Sequence, residues 1–85
     1  MSLPVVTLYG RPGCGLCDEA EQLLSALAAR LGFALEVTNI EDDPGLERRY
    51  LFEIPVISLA GEELARAPIR AATLEARLRE ALPSR

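Results

Sequence analysis

The stretch Arg11-Pro-Gly-Cys-Gly-Leu-Cys-Asp-Glu-Ala20 holds Cys14 and Cys17, the two cysteines of an 85-residue chain that has no histidine. Two thiols at this spacing, ahead of a helical pattern, admit three chemistries. As a staple, a disulfide closing so short a loop restrains the unfolded chain by only about 2 kcal/mol, against about 3 for fifteen residues. As a metal site, the pair supplies half of the roughly four Cys or His ligands that structural zinc takes. Metal or an iron–sulfur cluster would need a second protomer, carboxylates or an external thiol.

The third chemistry is a working dithiol, which needs a thiolate. Cys14 falls at the N-terminal edge of a helix beginning near Gly15 or Leu16. Unpaired N–H groups and the helix dipole stabilise an anion there by up to about 2 kcal/mol, which lowers the thiol's pKa towards neutrality. Cys17 lies one turn further in, more buried, within reach to resolve a mixed disulfide on Cys14. Gly13 and Gly15 bare the backbone around Cys14, so a substrate can approach closely. Asp18, Glu19 and Glu21 read as ordinary acids of a first helical turn. The functional alternative is that they keep Cys17 protonated until it is needed.

The elements that must hold this pair follow from hydrophobic periodicity. Residues 5–9, Val-Val-Thr-Leu-Tyr, form a short strand, apolar on both faces. Glycines and Pro12 make residues 10–15 a loop. Leu16, Ala20, Leu23, Leu24, Leu27, Ala28 and Leu31 then share one helical face, and Gly32 stops the helix. Residues 33–39 alternate, with Phe33, Leu35 and Val37 on one side of a second strand. Asp43 caps a short helix with Pro44 at its first position, Glu47 in its first turn, and Leu46 and Tyr50 inward. Residues 55–59 are a third strand. Ala60 to Glu62 form a turn and residues 63–66 an antiparallel return. Leu74, Leu78, Ala81 and Leu82 mark a last helix, with Thr73 as its cap and Pro83 as its end. The order is β-α-β-α-β-β-α, and a strand, crossover helix and strand imply a parallel pair.

Composition sets bounds on function. Length suits one small domain over residues 1–85. A hydrophobic share of 49% supports a real core. The net charge is −4, lysine is absent and the nine arginines are scattered, so no basic stripe for nucleic acid exists. No run approaches the ~20 apolar residues of a membrane helix. Residues 1–6 lack the basic start and apolar run of a signal peptide. A cytoplasmic monomer is the expectation. In a reducing compartment a Cys-x-x-Cys pair is more often catalytic or metal-binding than structural.

"LYGRPGCGLCDEA" and "IEDDPGLERRYLFEIPVISLAGEEL" together resemble the glutaredoxin-like branch of the thioredoxin-fold superfamily. The likeness covers nearly the whole chain and is closest to a group of small bacterial glutaredoxin-like proteins. It implies an α/β thioredoxin fold, a four-stranded mixed sheet flanked by helices. It implies a thiol–disulfide oxidoreductase that reduces protein or glutathione mixed disulfides with its Cys-Gly-Leu-Cys dithiol. By position, Cys14 matches the family's nucleophile, Cys17 its resolving cysteine, and Pro55 its cis-proline. The backbone of Ile54 would then pair with an extended substrate. Arg11 stands where a basic residue helps hold glutathione. Its alternative is a solvated loop arginine. Tyr9 reads as a core or rim aromatic with lining of the groove as the alternative, and Arg48 and Arg49 as a solvated helix face with a glutathione contact as the alternative.

The departures are specific. Gly13 replaces the Trp of thioredoxins, and Gly15-Leu16 the Pro-Tyr of typical glutaredoxins. Residues 63–70, Glu-Leu-Ala-Arg-Ala-Pro-Ile-Arg, lack the Gly-Gly of the glutathione site, which weighs against glutathione as partner. The resemblance implies no bound cofactor or metal, with reducing equivalents from glutathione or a reductase. The active edge is expected to join residues 11–17, Ile54, Pro55 and the turn near Ala67. Two other classes remain: a metal or iron–sulfur binding module using the same cysteines, and a non-catalytic interaction domain.

Overall fold

A computed structural model describes residues 3–83. The elements are β1 (Val5–Gly10), α1 (Gly15–Leu31), β2 (Ala34–Asn39), a 3-10 turn (Ile40–Asp42), α2 (Pro44–Tyr50), β3 (Val56–Leu59), β4 (Glu62–Arg66) and α3 (Ala71–Ala81). The strands form one sheet in the order β2-β1-β3-β4. β1 runs parallel to β2, from Val5 opposite Ala34 to Gly10 opposite Asn39. β3 runs antiparallel to β1, with Tyr9 opposite Val56, and β4 runs antiparallel to β3. The parallel pair follows the element order, and the whole is the four-stranded mixed sheet that the resemblance to the thioredoxin fold implies.

Strand alternation divides the core between two faces. Val6 and Leu8 of β1 and Ile57 of β3 meet Leu24 and Leu27 of α1 and Leu74 and Leu78 of α3. Tyr9 and Val56, the intervening residues, turn to the other face, where Ile40 and Tyr50 pack on them. Helices therefore cover both sides, with α2 and the 3-10 turn on the second. Gly32 closes α1 at φ 82°, a left-handed conformation open to glycine at little cost. Asp43 Oδ1 accepts the N–H groups of Gly45 (2.8 Å) and Leu46 (3.3 Å), the expected cap of α2.

Five expectations need correction. Leu16 is 59% exposed, because the first turn of α1 projects past the sheet and the buried stripe begins at Cys17 and Ala20. Val37 is half-exposed, since the end of β2 faces an open cleft that α1 does not cover. Thr73 does not cap α3. The helix starts at Ala71, and Arg70 stands at the cap position with no side-chain bond to the helix. Ala81 is exposed, and the core contact at that end comes from Leu82. Val5 is also exposed, so β1 is not buried on both faces along its whole length.

Candidate active site

Cys14 and Cys17 lie where β1 hands the chain to α1. Gly10 ends the strand, Gly13 turns the loop at φ 76°, and Cys14 occupies the cap position of α1 with extended backbone. The two sulfurs are bonded to each other across a Cα–Cα distance of 5.2 Å. Cys14 Sγ accepts the N–H of Cys17 at 3.1 Å, and its carbonyl accepts the N–H of Asp18 at 3.0 Å. A sulfur thus takes the place of the usual side-chain oxygen cap and receives one of the orphan N–H groups of the helix. Cys14 is half-buried, whereas Cys17 is 5% exposed and packs against β1.

Gly10 makes that packing possible. A Cβ built on it would stand 3.1 Å from both Cβ and Sγ of Cys17, tighter than ordinary van der Waals contact. Gly10, expected in the loop, is instead the last residue of β1. The signal was available: a glycine ending an apolar strand marks a close approach of another element. Gly13 and Gly15 differ from it, because a Cβ at either would meet nothing within 4 Å. Gly13 is needed for its positive φ and Gly15 leaves the surface beside Cys14 open.

Two clefts lie along the start of α1. One, of about 250 Å³, runs between Leu16 and Glu19 of α1 and the segment formed by Pro55, Ala67, Pro68 and Ile69. The other, of about 250 Å³, lies behind Cys17 and is lined by Arg11, Asp18, Glu21, Thr38 and Asn39. The structure therefore brings Pro55, the turn near Ala67 and the first turn of α1 together at one edge. Arg11 belongs to the opposite cleft, exposed and beside Asp18 and Glu21. Glu19 is the acid that borders the Pro55 cleft.

The Ile54–Pro55 peptide is cis, and so is Ala67–Pro68. Pro55 is buried, and its carbonyl accepts the Ala67 N–H at 3.0 Å, which ties the exit of β4 to the start of β3. Ile54 departs from expectation. Its N–H is donated to the Tyr50 carbonyl at 3.1 Å, so the Ile54 amide is not free to pair with an incoming strand. α2 ends one turn earlier and its last carbonyls need donors, which the following turn supplies through Glu53 and Ile54.

Charges around this loop are fixed by Arg66. Its guanidinium grips both carboxylate oxygens of Glu63 at 2.6 and 2.8 Å and reaches Glu53 at 2.7 Å, beside Ile54. The Arg66 hydrogen bond holds the Glu63 carboxyl below its ordinary pKa, with Arg49 adding to the effect. Arg48 and Arg49 are exposed, as expected for a solvated helix face, but Arg49 also sits over the Tyr50 ring at 5.1 Å. Tyr50 stacks on Tyr9 with centroids 4.9 Å apart, so Tyr9 packs on the second core. Among the described residues, no three His, Cys, Asp or Glu side chains gather as metal ligands.

The bonded Cys14–Cys17 pair at the strand-to-helix junction can be set beside known proteins. The model of the glutaredoxin-like domain (DUF836) matches residues 5–79. The chain belongs to this glutaredoxin-like family. An uncharacterised protein of Mycobacterium tuberculosis is 32% identical over 68 residues, which cover 74% of this chain and 70% of that one. The X-ray structure of protein XcR50 from X. campestris superimposes with a TM-score of 0.76 at 39% identity, covering 89% of this chain and 97% of that chain. Glutaredoxin from Brucella melitensis, at 24% identity and a TM-score of 0.57, shares the fold over 95% of this chain and 85% of its own. The glutaredoxin-like family match thus accords with the site: a paired Cys-x-x-Cys at the start of the first helix of a thioredoxin fold.

Proposed function

We propose that the chain is a thiol–disulfide oxidoreductase in which Cys14 is the attacking thiol and Cys17 the resolving thiol. The observation that carries this reading is the unequal setting of the two sulfurs. Cys14 Sγ stands half-buried at the start of α1 and accepts the Cys17 N–H, while Cys17 is packed beneath it against Gly10. In the reduced protein the same N–H and the helix dipole favour a Cys14 thiolate over a Cys17 thiolate.

The reaction follows from that asymmetry. The Cys14 thiolate attacks one sulfur of a substrate disulfide, and that S–S bond breaks. One substrate thiolate leaves and takes a proton from solvent. Cys17 then loses its proton, and its thiolate attacks Cys14 Sγ. The mixed disulfide breaks, the second substrate thiolate leaves, and the Cys14–Cys17 bond forms. Two electrons pass from the dithiol to the substrate, which ends as two thiols. The substrate is a protein or glutathione mixed disulfide, bound along the cleft between Leu16 and Pro55. Glutathione or a reductase returns the dithiol to its reduced form. Gly13 and Gly15 keep the approach to Cys14 open. Pro55 shapes the cleft and Ile54 offers its carbonyl. Arg11 borders the cleft behind Cys17.

Equilibration with graded ratios of reduced and oxidised glutathione, followed by acid quenching and intact-mass measurement, tests the proposal. The expected result is one dithiol–disulfide transition in the range of roughly −200 to −270 mV spanned by glutaredoxins and thioredoxins. Failure of the pair to form a disulfide at any ratio overturns the exchange mechanism. An abundant glutathione adduct on Cys14 identifies glutathione as partner although the Gly-Gly is missing.

A further inference from the structure

Phe52 is 92% exposed, far above the other exposed large apolar side chains among the described residues, of which Leu16 at 59% comes next. It sits in the turn between α2 and the Ile54–Pro55 bond. Its neighbours Tyr50 and Leu51 point into the protein, buried and half-buried. A single apolar side chain on a surface is ordinary. Phe52 differs in its company and in its position.

Arg48 lies four residues before Phe52 and Arg49 three, both exposed. Arg48 and Arg49 belong to the last turn of α2, and Phe52 follows two residues after its end at Tyr50, so the three are neighbours along the chain at one end of this helix. Arg48 has no carboxylate within ion-pair distance among the described residues. Arg49 is held over the Tyr50 ring at 5.1 Å, and Tyr50 is stacked on Tyr9. The nearby acids are Glu47, half-buried on α2, and Glu53 and Glu63, both bonded to Arg66, with Glu63 also feeling the charge of Arg49. Aromatic residues and arginine are the types most enriched where proteins bind one another. Here they stand together on a chain whose net charge is −4. Phe52 is three residues from Pro55, a chain reach of about 10 Å, and Pro55 lines the cleft with Leu16.

We propose that Arg48, Arg49 and Phe52 form a docking surface for a protein partner that presents an acidic segment with an apolar side chain between its carboxylates. The apolar group packs on Phe52 and the carboxylates meet the two guanidiniums. The part of this inference that concerns purpose rests on the exchange reading: docking here lays the partner's disulfide beside the cleft lined by Pro55 and by Leu16, the residue between the two cysteines. A partner bearing lysines is disfavoured at this surface.

The test uses the oxidised protein, labelled with ¹⁵N, and two cysteine-free peptides. One carries a leucine pair flanked by glutamates, and the other is its lysine counterpart. Amide shifts are followed on titration of the wild type, R48E/R49E and F52S, each first shown to retain a cooperative thermal transition. In the wild type, shifts centred on residues 48–53 and binding of the acidic peptide about fivefold tighter than the basic one are expected. R48E/R49E reverses the preference. F52S weakens both peptides by a similar factor and leaves the preference in place. Equal binding of the two peptides, or shifts that avoid residues 48–53, overturns the proposal. Because neither peptide contains sulfur, the titration reads docking whether or not the dithiol exchanges. The rate of wild-type reaction with hydroxyethyl disulfide, measured separately, tests the exchange reading by itself.

Discussion

Gly10 and Cys17 are in contact with no room for a side chain between them: a Cβ on Gly10 would lie 3.1 Å from the Cys17 sulfur. β1 ends where the first turn of α1 presses its buried cysteine onto the sheet. The strand terminus thereby sets the depth of Cys17, and through the bonded pair it sets the position of Cys14.

Gly10→Ala should therefore overpack this junction. Cys17 is 5% exposed and Gly10 is itself buried, so neither can retreat into solvent without moving backbone. Overpacking of this kind costs about 1–3 kcal/mol. Urea unfolding of the oxidised protein should report a loss in that range. Gly15→Ala is the control, since a Cβ there meets nothing within 4 Å. Equal stability of Gly10→Ala and wild type would mean that Cys17 has a second position available.

The unequal settings of the sulfurs lead to unequal phenotypes. Cys14→Ser should lose reaction with a small disulfide by at least about a hundredfold, because a hydroxyl does not replace a thiolate nucleophile. Cys17→Ser should still attack but stall, leaving one mixed disulfide per chain. Intact-mass measurement after mixing with hydroxyethyl disulfide distinguishes the two. A stable adduct on Cys14→Ser and none on Cys17→Ser would reverse the assigned roles.

The local grammar of the chain made much of this architecture legible. Gly32 and the Asp43-Pro44 pair announce helix ends by conformational and hydrogen-bonding rules that act within a few residues, and both behave as those rules require. The apolar stripe of α1 is readable because burial follows helical period. Its first member, Leu16, is misread because period alone does not say where the sheet beneath the helix ends. The same limit explains Val37. Contacts between residues far apart in sequence left no local trace, so the Tyr9–Tyr50 stack and the Arg66 bridge to Glu53 emerge only from the fold. The Ile54 N–H belongs to this group too, since its capture by Tyr50 depends on how α2 unwinds.

A cross-helix ion cluster makes a pH-dependent prediction. Glu75 on α3 accepts from Arg79 one turn along at 2.9 and 3.1 Å and from Arg30 at the end of α1 at 3.0 Å. The Arg79 hydrogen bond, aided by the charge of Arg30, holds the Glu75 carboxyl below its ordinary value of 4.5. A carboxyl whose folded pKa is depressed contributes stability above its unfolded value, and that stability is lost as pH falls through the folded one. Glu75→Gln should thus melt below wild type at pH 7. The two Tm values should converge as pH drops below 4.5. The gap should also shrink in high salt, since the pairs are exposed. A gap that persists at pH 3 would assign the effect of Glu75→Gln to packing.

The cap of α2 offers a test of how firmly the second core is held. This helix is only seven residues long, so a large share of its backbone groups are terminal. Asp43 serves two of its N–H groups through one oxygen. Removing a cap of this kind costs about 0.5–2 kcal/mol. Asp43→Ala should lose stability within that range in urea, and Asp43→Asn, which keeps an acceptor oxygen, should lose less. Tyr50 is the buried residue of α2 and packs on Val56 at the start of β3. Loosening the cap should accordingly raise the hydrogen exchange of residues 45–54 before that of α1, whose buried stripe lies on the other face of the sheet. Uniform exchange across both helices would show instead that the two faces open together.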